Sequence, residues 1–218
     1  MNNKPNMQAL IFDVGGVLLR TVHPERRAQW ETRLGLPAGA VHDLVFLSEA
    51  GQAAQRGEID DAALWAWVGD QLGLSEADRH QFYADFWAAD EVNTALLAWI
   101  AARRARYQTA IISNFSAGLR QMLTVTHPQV GALFDVIVIS AEEKVTKPTP
   151  EIYQRTLARL GQAAHETMFV DDNEENVHAA RDLGIYAIHY HPSVDIDAAL
   201  AQWGQPERGS EHHARYRD

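Results

Sequence analysis

Ile11-Phe12-Asp13-Val14-Gly15-Gly16-Val17-Leu18 is the stretch on which the fold turns. Gln8 to Phe12 has the length and apolar content of a buried strand, and Gly15-Gly16 break it. Three later stretches follow in fixed order: Ile111-Ile112-Ser113-Asn114, Lys147-Pro148 and Phe169-Val170-Asp171-Asp172. The first and last of these also end apolar, β-branched runs of strand length. A sheet that brings an aspartate, a hydroxyl and a carboxylate pair to its strand ends, with a lysine from a loop, suits a phosphate and a divalent cation. Gly15 stands two residues after Asp13, where such sites often carry a second carboxylate.

Outward from these stretches, the pattern alternates from Glu91 onward. Helices are expected over 91–106, 117–125, 150–160 and 174–183, and strands over 108–112, 136–139, 168–170 and 185–189. Pro150 suits the first position of its helix, and Glu151 suits its first turn. Alternating strand and helix implies a doubly wound parallel sheet of the Rossmann-like α/β class, with ligands bound beyond the carboxyl ends of the strands. Residues from about Pro24 to Asp90 differ. They show helical spacing, many alanines, Trp30, Trp65, Trp67 and Trp87, and no convincing strand. Gly35, Gly57 and Gly73 read as helix stops. The expected organisation is therefore a core of 1–20 and 91–205, a helical cap inserted at 21–90, and a polar, disordered tail at 206–218.

The chain has 218 residues and a formal net charge of -10. That charge disfavours non-specific binding to nucleic acid or to an anionic membrane surface. No apolar run reaches the roughly 20 residues that span a bilayer. Met1 to Met7 carry one lysine and no apolar stretch, which does not read as a signal peptide. With no cysteine, thiolate metal sites, disulfides and cysteine nucleophiles are excluded. A cytoplasmic protein, monomeric or homodimeric, is the expectation.

The four motifs, in this order and with a helical insertion between the first and second, resemble the haloacid dehalogenase superfamily, most of whose members are phosphatases. The resemblance runs from about Gln8 to Leu200. Phe12-Asp13-Val14-Gly15-Gly16-Val17, Lys147-Pro148-Thr149-Pro150-Glu151-Ile152-Tyr153 and Asp171-Asp172-Asn173-Glu174-Glu175-Asn176 are similar to the branch with a paired-aspartate fourth motif. That branch includes sugar-1-phosphate phosphatases and the N-terminal phosphatase domain of mammalian soluble epoxide hydrolase. The resemblance implies Asp13 as nucleophile and Mg²⁺ held by Asp13, the Gly15 carbonyl and Asp172. It implies Ser113, the Asn114 amide and Lys147 on the phosphoryl oxygens of a small phosphate ester. Asp171 either binds water around the metal or orients Lys147. Asn176, one helical turn on, either bonds a metal-bound water or lies plainly on the helix surface. Lys144 is a rival for the lysine role, set aside because Pro148 and Pro150 fit the third motif. His189 and His191 read as strand-end surface histidines, since two ligands without a third make a poor metal site.

Gly15 can neither protonate a departing alkoxide nor activate water, help typically worth about 10²–10⁴-fold. One reading is a phosphatase whose leaving group is acidic, such as the anomeric oxygen of a sugar 1-phosphate, or whose acid comes from elsewhere. A second is a weakly active or non-catalytic binder of a phosphometabolite or a partner, which leaves the retained nucleophile unexplained. A third is a dehalogenase, which needs no Mg²⁺ and leaves Asp171-Asp172 unexplained.

Overall fold

The computed structural model describes residues 6–203; the tail expected at 206–218 lies outside them. The first strand, β1 (Ala9–Phe12), is wholly buried. It leads through Asp13 to Gly16 into a short strand, β2 (Leu19–Thr21). Five helices follow: α1 (Glu25–Leu34), α2 (Ala40–Phe46), α3 (Glu49–Gln55), α4 (Asp61–Gln71) and α5 (Glu76–Trp87). Ser48, Asp60 and Ser75 cap the last three, each side chain accepting from a backbone N–H in the first turn. Gly35, Gly57 and Gly73 all take positive φ after helix ends, as expected of stops. Trp30, Phe82 and Phe86 form the centre of this unit's own core.

The chain returns by β3 (Asp90–Val92), antiparallel to β2. This corrects the expectation of a helix from Glu91. The helix, α6 (Thr94–Ala101), starts after Asn93, whose side chain caps the Leu96 amide. Three-residue strands carry no readable period, so the ribbon is invisible in the sequence.

Then come β4 (Gln108–Ser113), α7 (Gly118–Gln121) running into a wide π turn (Met122–Thr126), α8 (Pro128–Gly131) and β5 (Val136–Ile139). After these follow α9 (Ser140–Glu143), α10 (Pro150–Leu160), β6 (Thr167–Asp171), α11 (Glu174–Asp182), β7 (Tyr186–His189) and α12 (Ile196–Gln202). The five long strands are parallel, in the order β5-β4-β1-β6-β7. β1 is central and is flanked by the strands of the second and fourth motifs. Its side chains alternate between two cores: Leu10 and Phe12 pack on one face, Ala9 and Ile11 on the other. Burial on both faces is why the strand reads as a continuous apolar run. Among the described residues, no helix is long and apolar enough to cross a membrane.

Candidate active site

The strand order places Asp13, Ser113 and Asp171 at neighbouring carboxyl ends. Asp13 follows β1, Ser113 ends β4 and Asp171 ends β6. The Asp13 amide donates to the Val170 carbonyl at 2.9 Å, which carries the ladder into the first motif loop. A carboxylate oxygen from each of Asp13, Asp171 and Asp172 can be chosen so that all lie within 4.8 Å of one another.

Lys147 is buried at the centre of this group. Its Nζ lies 2.9 Å from Asp13 Oδ1 and 2.6 Å from Asp171 Oδ2, and donates to the Ile112 carbonyl at 3.0 Å. Its backbone is clasped by Asn114, whose Nδ2 donates to Lys147 O and whose Oδ1 accepts from Lys147 N, both at 2.8 Å. The rival Lys144 instead donates to the Gly57 carbonyl in the helical insertion. The loop is thus tied to the second motif through its main chain, a role for the Asn114 side chain that sequence reasoning missed.

Asp171 is fully buried and fully engaged. It accepts from Lys147, from the Asn173 amide at 2.8 Å, and from Asn176 Nδ2 at 3.1 Å on each oxygen. The contact that would let it orient Lys147 is in place, at 2.6 Å. Asn176 is buried and braces Asp171, so it is not a plain surface residue. The cap of α11 is Asn173 rather than either aspartate, which leaves Asp172 facing solvent. His189 Nε2 donates to the Asp172 carbonyl, 2.9 Å away, and the ring is exposed.

Three carboxylates around one ammonium leave the site short of positive charge. Burial pushes the Asp13 carboxyl up to about 7, against the pull of Lys147, and Asp171 and Asp172 add to the rise. Partial enclosure, then the neighbouring Asp171, also raises Asp172. Burial alone would draw Lys147 down, but Asp13 and Asp171 outweigh it and hold it above its ordinary value. A pair of unneutralised carboxylates with oxygen ligands only is what a hard divalent cation fits.

The five-helix insertion rests on this edge through two residues that the sequence did not single out. Asp61, in the first turn of α4, accepts from Ser116 Oγ at 2.6 Å and from Gly118 N at 2.8 Å. Arg27 on α1 is buried at the β2-β3 ribbon, 2.6 Å from Asp90 and 3.1 Å from Thr21 Oγ1, with its guanidinium over the Phe86 ring. Both join segments far apart in sequence. The Asp60-Asp61 doublet reads only as a helix start, and Arg27 reads as surface charge.

A family model described as haloacid dehalogenase-like hydrolase matches residues 7–184. The sesquiterpene phosphatase astK of Aspergillus oryzae is 30% identical over 199 residues, which cover 89% of this chain and 95% of that protein. D-ribitol-5-phosphate phosphatase of Bacteroides thetaiotaomicron is 26% identical over 186 residues, 80% of this chain and 87% of that one. Among solved structures, the wild-type had family enzyme bt-2542 of Bacteroides thetaiotaomicron, in complex with magnesium and inorganic phosphate, has a TM-score of 0.73 at 23% identity. That likeness covers 87% of this chain and 97% of that one.

Proposed function

The chain belongs to the haloacid dehalogenase-like hydrolases, and within that family we propose that it is a Mg²⁺-dependent phosphomonoester hydrolase working through Asp13. The observation that carries this reading is the pairing of Asp13 with a buried lysine beside two further carboxylates on one sheet edge. Phosphatases among the curated relatives and the magnesium and phosphate bound by bt-2542 point the same way.

In this reading an Asp13 oxygen attacks phosphorus, the ester P–O bond breaks, and an aspartyl-phosphate forms that water then cleaves. Lys147 shields the charge between Asp13 and the phosphoryl oxygens, while the Ser113 hydroxyl and the Asn114 amide donate to those oxygens. Asp171 and Asn176 hold Lys147 in place. Asp13, Asp172 and the Gly15 carbonyl would hold the metal. When bound, the ion supplies the positive charge that lets an anion approach a phosphate dianion. Residues 21–90 act as the cap, swinging on the β2-β3 ribbon. Gly15 offers the leaving alkoxide no proton, so acidic leaving groups are favoured; the anomeric oxygen of a sugar 1-phosphate meets that condition. The protein works in the cytoplasm, as a monomer or homodimer, on a small phosphate ester.

The test is phosphate release from acetyl phosphate, phenyl phosphate and a sugar 1-phosphate, with Mg²⁺ and with EDTA. EDTA and Asp13→Asn are expected to reduce turnover to background, and Lys147→Ala to lower it by about 10²–10³-fold. Full activity in folded Asp13→Asn would rule out the covalent route.

A further inference from the structure

A cavity of about 380 Å³ lies between the cap and the core. Leu19, Trp87, Phe115 and Met122 give it an apolar, aromatic interior, with Tyr83 exposed at its rim. Asp13, Ser113 and Lys147 do not line it, but its wall is tied to the first and second motifs. The Leu19 amide donates to the Val14 carbonyl at 2.8 Å, and Leu19 is bridged to Gly15. Phe115 stands two residues after Ser113.

Both carboxylates in the wall are already engaged. Asp61 takes the Ser116 hydroxyl and the Gly118 amide; Asp90 takes Thr21 Oγ1 and Arg27 Nη2, each at 2.6 Å. The remaining polar side chains of the wall are half-buried His127, the Tyr83 phenol, and exposed Gln121 and Thr126. A polyhydroxy chain entering such a space must set some hydroxyls against Leu19, Trp87, Phe115 and Met122, and each group left unpaired there carries a desolvation cost. An apolar chain gains with every methylene it buries.

We propose that this cavity receives the leaving group, so that the preferred substrates are phosphomonoesters of apolar alcohols or phenols rather than of sugars. The inference rests on the phosphatase reading above. It concerns the polarity of the leaving group, whereas Gly15 concerns its acidity, so the test holds acidity fixed.

Butyl, hexyl and octyl phosphate and glucose 6-phosphate all release a primary alkoxide. Their kcat/KM is measured on the full chain with Mg²⁺, with acetyl phosphate as a reactive reference. Octyl phosphate is expected to exceed glucose 6-phosphate by about tenfold or more, with a rise of about threefold per methylene until the cavity fills. Met122→Gln and Trp87→Ala are each expected to cut the octyl-to-glucose ratio by about threefold or more. Trp87 also packs within the cap, so Met122→Gln carries the point if Trp87→Ala does not fold. A flat alkyl series, or glucose 6-phosphate turned over as well as octyl phosphate, would overturn the proposal. If even acetyl phosphate is untouched, the phosphatase reading falls, and calorimetric binding decides the cavity. Tighter binding of octyl phosphate than of glucose 6-phosphate, weakened by Met122→Gln, upholds it; equal binding overturns it.

Discussion

Gly16 has φ 68°, and a Cβ built on it would lie 1.9 Å from Asp172 Oδ2. Its neighbour Gly15 has no positive φ, and a Cβ there meets nothing within 4 Å. The two glycines therefore answer to different constraints. Gly16 is where the backbone passes against a carboxylate in a left-handed conformation that L side chains rarely take. Gly16→Ala is expected to cost about 1–3 kcal/mol of stability and to weaken Mg²⁺ affinity by displacing Asp172, read by thermal melts and calorimetry. Gly15→Asp has room and an ordinary backbone, so a failure to fold would be unexpected. If the missing carboxylate limits leaving-group choice, Gly15→Asp raises turnover of alkyl phosphates selectively, by up to about 10²-fold, and leaves acetyl phosphate little changed. A general acid matters most where the leaving group is basic. A variant that folds, binds Mg²⁺ and shows no selective gain means another group already serves as the acid.

The elements that the sequence made legible are those with a period. β1, β4 and β6 are buried on both faces and read as apolar runs; α10 announces itself by Pro150 at its start and Gly161, at φ 66°, after its end. The carboxyl-end convergence of Asp13, Ser113 and Asp171 followed from those strands alone. What stayed hidden joins segments far apart in the chain: the Asn114 clasp on Lys147, the Arg27 node at the ribbon, and Asp61 on the Ser116–Gly118 turn. No local pattern encodes such pairings. Even so, Asp61 makes a definite expectation at this scale. It is the cap's carboxylate on the loop that follows Ser113, and its loss strands the Ser116 hydroxyl and the Gly118 amide. Asp61→Ala is expected to cost about 1–3 kcal/mol and to raise KM more than it lowers kcat, because the cap holds less firmly while the core chemistry is untouched. Faster amide exchange confined to 116–121 and the first turn of α4 would identify the mechanism. Exchange that rises uniformly would instead mean global destabilisation.

For the molecule as a whole, the site is a reservoir of unneutralised charge that folding must enclose. Asp13 titrates at about 7 in the folded chain against a reference value of 3.8. A carboxyl with a raised folded pKa favours the native state fully below its unfolded pKa. That contribution is lost as pH climbs from about 3.8 through about 7, and above that window the loss is complete. Lys147 works in the same sense at the far end of the scale: its pKa is also raised, so its contribution is fully present below its ordinary value and is lost only as pH climbs past it. Between these limits the metal-free protein is expected to lose stability on going from pH 5.5 to pH 8. A cation binds the ionised carboxylates and must displace the Asp13 proton at the lower pH, so it restores more at the higher one. The gain in melting temperature on adding Mg²⁺ is therefore expected to be several degrees larger at pH 8 than at pH 5.5. Asp13→Asn removes both the titrating group and a ligand, and is expected to melt higher than the wild type without metal at pH 8 and to respond little to Mg²⁺ at either pH. A Mg²⁺ response that is flat with pH in the wild type would mean that Asp13 is already ionised in the free protein, with Lys147 alone sufficient to balance it.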